Sequence, residues 1–440
     1  MLNALNVLQT ILAFLFALGV IIVVHEAGHL LVAKAFGVRV LTFSVGFGRR
    51  IWGIQRGETE YRLSAVPLGG YVRLSGENPE EATSDPRDFL SKPRWQRILV
   101  YLAGPAMNVI LAIFIFAGLF MVGMSIPYLP DVPAVVGDVE AGSSAAAVGI
   151  VRGDRILTVN GKAVENWQQV LMALITSPTG SQVRLTLERG ATRMEKVVLP
   201  KDVEPQGARD SAGLFPMLRP QVIEVLAGSP AEASGFRPGD EIRTVNGRPI
   251  ADRNDFVEQI EKQPGKQVVV EIVRDGRPLN LNVVPRNENG VGKVGVGIGV
   301  FQKYGPARAF SASVRYNVLI LRETLSILGK IFTREVSAKN ALAGPIEIAK
   351  QSGEAVRRGF KDLVYLMGFL SISIAFMNLL PIPILDGGQI FILLIEEVIR
   401  RDLSLQVKEV VSQVGFFMIL ALMATVIYFD VVKTGWLPGS

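Results

Sequence analysis

Cysteine is absent from the 440 residues, which removes disulfides, thiolate metal sites and cysteine nucleophiles together. Histidine is almost absent, with two copies. Charge is scarce as well, at 20% of residues, where an ordinary globular chain carries roughly a quarter. Several stretches lack charge almost entirely while the middle of the chain has a soluble composition, which excludes a wholly soluble enzyme. What is abundant is apolar: 49% of residues belong to the AVILMFWYC set, too many for a disordered chain. The formal net charge is +6, with Lys and Arg spread out in the manner of membrane flanks and not gathered into a nucleic-acid surface. No nucleic-acid partner is expected.

Leu5 to Val24 holds no charged side chain and suffices to cross about 30 Å of hydrocarbon as a helix. A signal peptide fits less well, because Met1 to Ala4 has no basic residue and no polar stretch with a cleavage site follows. Further spans are expected over about Ile98–Ile126, Leu363–Leu385 and Val414–Tyr428. Nine basic residues lie from Lys34 to Lys92, and Arg400, Arg401 and Lys408 lie between the last two spans. Both clusters are expected to be cytoplasmic, which puts both termini and the long section from about Pro127 to Lys361 outside.

That outside section repeats itself. Residues 139–161 match residues 225–247 at a constant offset of 86, with 14 of 23 positions identical. Each copy reads as a strand, a short Ala-rich helix, a Gly-Asp turn (Gly153-Asp154, Gly239-Asp240) and a strand ending at Asn-Gly, a hairpin signal. The pattern resembles a PDZ domain of the bacterial envelope-protease kind. Such domains take a peptide as an added strand, so each copy is either a peptide binder or a spacer and steric gate.

Both histidines fall in His25-Glu26-Ala27-Gly28-His29, an HExxH pattern. On a helix, i and i+4 share a face, so both imidazoles reach one ion, with Glu26 beside them to take a proton from water. Zinc suits this donor set, although the spacing alone does not exclude other divalent metals. Without Cys or further His, the third ligand must be a carboxylate. Asp386 is the leading candidate, ahead of Glu396, Glu397 and Asp430. It sits in Asn378-Leu-Leu-Pro381-Ile-Pro383-Ile-Leu-Asp386-Gly387-Gly388, where prolines and glycines stop a regular helix. Irregular backbone at membrane depth survives only inside protein or along a wet cavity.

HExxH at the end of a first span, Asn-x-x-Pro-x-Pro-x-Leu-Asp-Gly in a third and two external PDZ-like units together resemble the site-2 protease family. The likeness is to its bacterial regulator of sigma-E branch and covers essentially the whole chain. It extends to Ala103-Gly-Pro-Ala-Met-Asn108 and Gly344-Pro-Ile-Glu-Ile-Ala349. The resemblance implies His25, His29 and Asp386 as Zn2+ ligands and Glu26 as the catalytic acid/base. It also offers Asn378 and Asn108 as candidate substrate contacts, and the residues themselves add Gly46-Phe47-Gly48, in the alternating strand region after the first span. The implied activity is intramembrane proteolysis of a single-span membrane protein, such as an anti-sigma factor after a first external cut, and of remnant signal peptides. The implied location is the bacterial inner membrane, with the PDZ pair as a substrate-size gate.

The expected fold is a multi-pass α-helical membrane protein of four transmembrane helices, with the metal site in the bilayer and two inserted periplasmic PDZ-like α+β domains. In order, the layout is a first transmembrane helix with HExxH (1–36), a cytoplasmic-side β-hairpin or re-entrant region (37–96) and a second transmembrane helix (97–128). PDZ-like domains follow at 129–217 and 218–305, then amphipathic membrane-surface helices (306–361). A third transmembrane segment (362–399), a cytoplasmic loop (400–412) and a fourth transmembrane helix with the tail (413–440) complete it. The region 37–96 either dips into the bilayer, offering a strand edge near the zinc, or is a folded cytoplasmic loop. Two other functions fit parts of the pattern. One is a PDZ receptor for envelope stress on an inert membrane anchor, for which Glu26→Gln is silent. The other is a zinc transporter, which predicts metal flux in vesicles.

Overall fold

The computed structural model describes residues 4–78, 83, 85–124, 132–175, 177, 181–203, 208–209, 212–217, 220–299, 301–333, 339 and 343–433. The chain divides into two compact units. The first comprises Met1–Leu119, Ala307–Ser326 and Leu342–Ser440, and the second Phe120–Pro306 and Ile327–Ala341.

In the first unit, helix α1 (Ala4–Ala35) and helix α2 (Arg94–Val122) pack through small residues. A Cβ on Gly28 would lie 2.3 Å from the Ala103 carbonyl oxygen, so the two backbones touch, as close helix packing in lipid requires. Along α1, residues Ala13, Ala17, Ile21, His25, His29 and Ala33 are all buried. Their spacing of four puts them on one stripe, so the two histidines continue the packing face of the helix.

Between these helices, strands β1 (Val40–Arg56) and β2 (Thr59–Leu74) each fold back on themselves. The first half of β1 pairs on one side with the start of β2 (Phe43 with Tyr61, Val45 with Leu63) and on the other with its end (Phe43 with Val72, Val45 with Gly70). The expected hairpin is therefore a sheet of four segments, with Gly70–Leu74 along one edge. The bend in β1 is set at Gly46 (φ 89°), where a Cβ would meet the Val66 carbonyl oxygen at 2.7 Å. The sheet's inner face, including Val40, Phe43 and Leu74, packs on Leu30 and Ala33 of α1 and Val100 of α2.

Three helices, α3 (Ser144–Ala147), α4 (Trp167–Ile175) and α5 (Pro230–Ala233), precede α6 (Arg253–Glu261), and all four belong to the repeats. Helix α7 (Pro306–Phe332) follows, and Ser313 donates to the Ile113 carbonyl of α2 at 2.6 Å. Helix α8 (Pro345–Arg358) lies on the first half of α1, with Ala355 against Ala13 and Ala17. Next come α9 (Phe360–Asn378), α10 (Asp386–Ile399) and α11 (Leu405–Lys433). Among the described residues, four helices are long and apolar enough to cross a membrane: Leu5–Ala35, Arg94–Val122, Phe360–Asn378 and Leu405–Val432.

Two boundaries differ most from the expectation. The third span ends at Asn378 and not near Leu385, because Pro381 and Pro383 lack the N–H that a helix needs there. Asp386 consequently opens a new helix. The fourth helix begins at Leu405, inside the expected cytoplasmic loop, with Lys408 anchored 2.7 Å from the buried Glu396.

The second unit holds the two repeats. The first copy has a sheet ordered β4 (Lys162–Ala163), β3 (Arg155–Val159), β5 (Val183–Arg189) and β6 (Thr192–Val198). In the second copy the matching strands Glu241–Val245, Val268–Arg274 and Arg277–Val283 pair in the same antiparallel sequence. Both Asn-Gly turns have two positive φ angles, 50° and 78° at Asn160-Gly161 and 50° and 77° at Asn246-Gly247, as a two-residue hairpin turn requires. Each copy buries the Asp of its Gly-Asp turn. Asp154 accepts from Arg189 at 2.6 and 2.7 Å and from the Val151 N–H at 3.0 Å. Asp240 accepts from Arg274 at 2.7 Å twice and from the Arg237 N–H at 2.8 Å. Burial works against ionisation of Asp154, but the Arg189 fork and the Val151 N–H hold its carboxyl below the usual range.

Candidate metal centre

The fold of the first unit brings three donors together. His25 and His29 project from the buried stripe of α1, and Asp386 is the first residue of α10. His25 Nε2 lies 3.3 Å from His29 Nε2 and 3.2 Å from Asp386 Oδ2, while His29 Nε2 lies 3.6 Å from Asp386 Oδ1. Donor atoms around a tetrahedral zinc, bonded at about 2.0–2.1 Å, stand about 3.3 Å apart. The triangle therefore fits zinc, and two nitrogens with one oxygen leave a fourth position open.

Local sequence explains why each donor is where it is. His29 Nδ1 donates to the Val100 carbonyl at 2.8 Å, which puts its proton on Nδ1 and leaves Nε2 free to bind. A Cβ on Gly104 would sit 2.2 Å from His29 Nε2 and 2.7 Å from His25 Nε2, so only glycine lets α2 back the two imidazoles. On the other side, residues 379–385 curl over the start of α10. Cβ atoms on Gly387 and Gly388 would lie 2.3 Å from the Leu379 and 2.1 Å from the Ile382 carbonyl oxygens. Gln389 Nε2 closes the turn by donating to the Pro383 carbonyl at 2.6 Å. Two glycines and two prolines thus aim Asp386 inward.

Glu26 lies beside the triangle and against the sheet edge, its Cγ 3.0 Å from where a Gly70 Cβ would be. The space in front of these groups is a cavity of about 440 Å³. His25, Glu26, His29 and Asp386 line it, together with Phe47, the edge residues Gly69 to Val72, Glu77, Tyr101 and Asn378.

The other candidates separate clearly. Phe47 and Asn378 line the cavity, and Phe47 stacks on Tyr71 with ring centroids 6.1 Å apart. Gly46 and Gly48 do not line it; their positive φ angles of 89° and 83° shape the bend that carries Phe47. Asn108 is not among the residues lining the cavity: it is 0% exposed and stands behind His25, its amide 3.2 Å from Nδ1. The weaker ligand candidates have other partners. Glu396 pairs with Lys408, Glu397 with Arg94 at 3.2 Å, and Asp430 accepts from the Gly344, Ile346 and Glu347 N–H groups at 3.0–3.1 Å. Among the described residues, His25, His29 and Asp386 form the one cluster of metal-ligating side chains. Sequence reasoning did not single out Gly104, Val100, Tyr101 or Glu77. Gly104-Pro105 within an apolar span was the available signal for the first.

The profile described as peptidase family M50 matches residues 13–422. The regulator of sigma-E protease RseP of Escherichia coli (strain K12) is 33% identical, with 97% of this chain and 99% of that protein covered. A putative zinc metalloprotease of Vibrio cholerae is 31% identical over 97% of this chain and 99% of its own length. One of Ralstonia nicotianae is 33% identical over 96% and 98%.

Proposed function

The chain belongs to peptidase family M50, the site-2 proteases, and is a zinc metalloprotease; from that premise we propose that it cuts single-span membrane proteins within the bilayer, using His25, His29 and Asp386 to hold zinc and Glu26 to move protons. The observation that carries this reading is the triangle of donors spaced 3.2–3.6 Å apart with Glu26 at its side. Zinc bound there supplies Lewis acidity that polarises a carbonyl and makes water more acidic. Glu26 takes the proton from the attacking water and returns it to the leaving amine, a role worth about 10²–10⁴ in rate.

A helical substrate hides its peptide bonds, so it must be held extended. The segment Gly70–Leu74 pairs on one side with Val40–Val45, and no described strand pairs with its other side. An unwound substrate adds there as a strand, with Phe47 and Asn378 in the same cavity lining to hold its backbone. The same sheet supports the re-entrant reading of residues 37–96: Trp52, Ile54 and Leu63 are exposed and apolar, as suits contact with lipid.

Four apolar helices and relatives in the RseP group support a multi-pass inner-membrane protein. The distribution of Lys and Arg supports periplasmic termini and periplasmic repeats. The domain layout proposed is that of the sequence reading, with the third segment broken at residues 379–385 and the fourth helix starting at Leu405. Within it the PDZ-like pair acts as a size gate, and the substrates are an anti-sigma factor already shortened outside the membrane and remnant signal peptides. The test is co-expression with a tagged single-span substrate, comparing this chain with Glu26→Gln and quantifying zinc in both. Retained turnover by Glu26→Gln would remove the assigned proton carrier, and metal flux into vesicles would favour a transporter.

A further inference from the structure

Three residues of α2 at four-residue spacing, Val100, Gly104 and Asn108, face the histidine pair of α1. Val100 holds the far side of His29 through its carbonyl at 2.8 Å. Gly104 gives way to both rings. Asn108 stands 3.2 Å from His25 Nδ1, in the place relative to His25 that Val100 takes relative to His29. The proposed role for Asn108 rests on the zinc-site reading above.

We propose that Asn108 is a positioning residue that fixes the His25 ring by accepting a hydrogen bond from its Nδ1–H, leaving Nε2 bare toward His29 and Asp386. Proton count decides the orientation. A ring nitrogen that binds a cation carries no hydrogen, so the proton of a neutral imidazole must be on the other nitrogen, where it needs an acceptor. His25 Nε2 points at His29 Nε2 and Asp386 Oδ2, at 3.3 and 3.2 Å, so the proton is on Nδ1. The group that faces Nδ1 is the Asn108 amide, whose carbonyl oxygen has no partner when the amide nitrogen is the edge turned to the ring. Rotating the amide brings the oxygen to Nδ1–H, the one orientation compatible with a bare Nε2. The residue is built to stay put. Its side chain is fully buried, and its backbone carbonyl accepts from the Ser371 hydroxyl of α9 at 2.8 Å.

The test is zinc affinity of the purified full chain in detergent, by competition with a chromophoric chelator, alongside thermal unfolding of the metal-free forms. Asn108→Leu keeps the volume and removes the acceptor, and should weaken zinc binding about 10–100-fold. Asn108→Asp keeps an acceptor oxygen and should bind zinc at least as tightly as the parent. A purely structural role would weaken both variants together, in step with their metal-free stability. Should Asn108→Leu fail to fold, Asn108→Asp decides alone, and a tenfold loss there overturns the proposal. Unchanged affinity in Asn108→Leu overturns it too, with the zinc site itself left standing. A parent chain that binds no zinc overturns the site and this role together.

Discussion

Replacing Gly104 by Ala puts a single methyl group where the geometry has no room for it. The new carbon would lie 2.2 Å from His29 Nε2, whereas ordinary contact starts at 3.4 Å, so ring or helix must move by about 1.2 Å. His29 cannot rotate away without losing the Val100 carbonyl, and α2 cannot retreat without opening the Gly28–Ala103 contact. Metal–ligand distances tolerate about 0.2 Å, so the displacement falls on zinc binding. Overpacking of this kind costs about 1–3 kcal/mol, which is about a 5- to 150-fold loss of zinc affinity at 1.4 kcal/mol per tenfold. The control lies in the same helix: a Cβ on Gly118 meets nothing within 4 Å, and alanine there favours the helix by up to about 1 kcal/mol. Zinc competition on both variants, with circular dichroism to show equal helix content, makes the comparison. Gly104→Ala binding zinc within twofold of Gly118→Ala would refute the packing argument.

Glu26→Gln should retain zinc at parental stoichiometry while turnover falls by about 10²–10⁴, read in the co-expression assay and by metal analysis of the same preparation. Asp430→Ala should remove the acceptor for three N–H groups at the start of α8, costing about 0.5–2 kcal/mol; amide exchange at Ile346 and Glu347 should rise while zinc content stays constant. Asp154→Ala should destabilise the first repeat by about 1–3 kcal/mol, because it leaves the Val151 N–H and the Arg189 fork without their acceptor. The pH dependence follows from the depressed Asp154 carboxyl. Its contribution is complete above the unfolded value of about 3.9 and disappears as pH falls through the lower folded value. Hydrogen exchange in the first-repeat sheet should therefore accelerate in that acid window in the parent and not in Asp154→Ala.

Features with a short period or an exact copy were the legible ones. The i, i+4 histidines needed only helix geometry, and the repeat announced itself through identities such as Gly153-Asp154 and Gly239-Asp240. Asp386 was reached by elimination, since no Cys or third His exists and its prolines and glycines interrupt an apolar run. Long-range placement was not legible. Nothing local distinguishes Asn108 contacting a substrate from Asn108 backing His25, because that depends on α1 and α2 touching at Gly28. Likewise, Arg189 and Arg274 read as strand-end charges until the folded sheet brings them to Asp154 and Asp240. The doubled-back strands escaped because the alternating runs Val40–Val45, Thr59–Arg62 and Tyr71–Leu74 are compatible with several registers, and the choice is made by glycine bends and by packing on α1.

The most direct measurement is anomalous scattering at the zinc edge from crystals of the zinc-loaded chain. One peak is expected, about 2.0–2.2 Å from His25 Nε2, His29 Nε2 and an Asp386 oxygen. A peak elsewhere, or one coordinated by the two histidines without Asp386, would contradict the account.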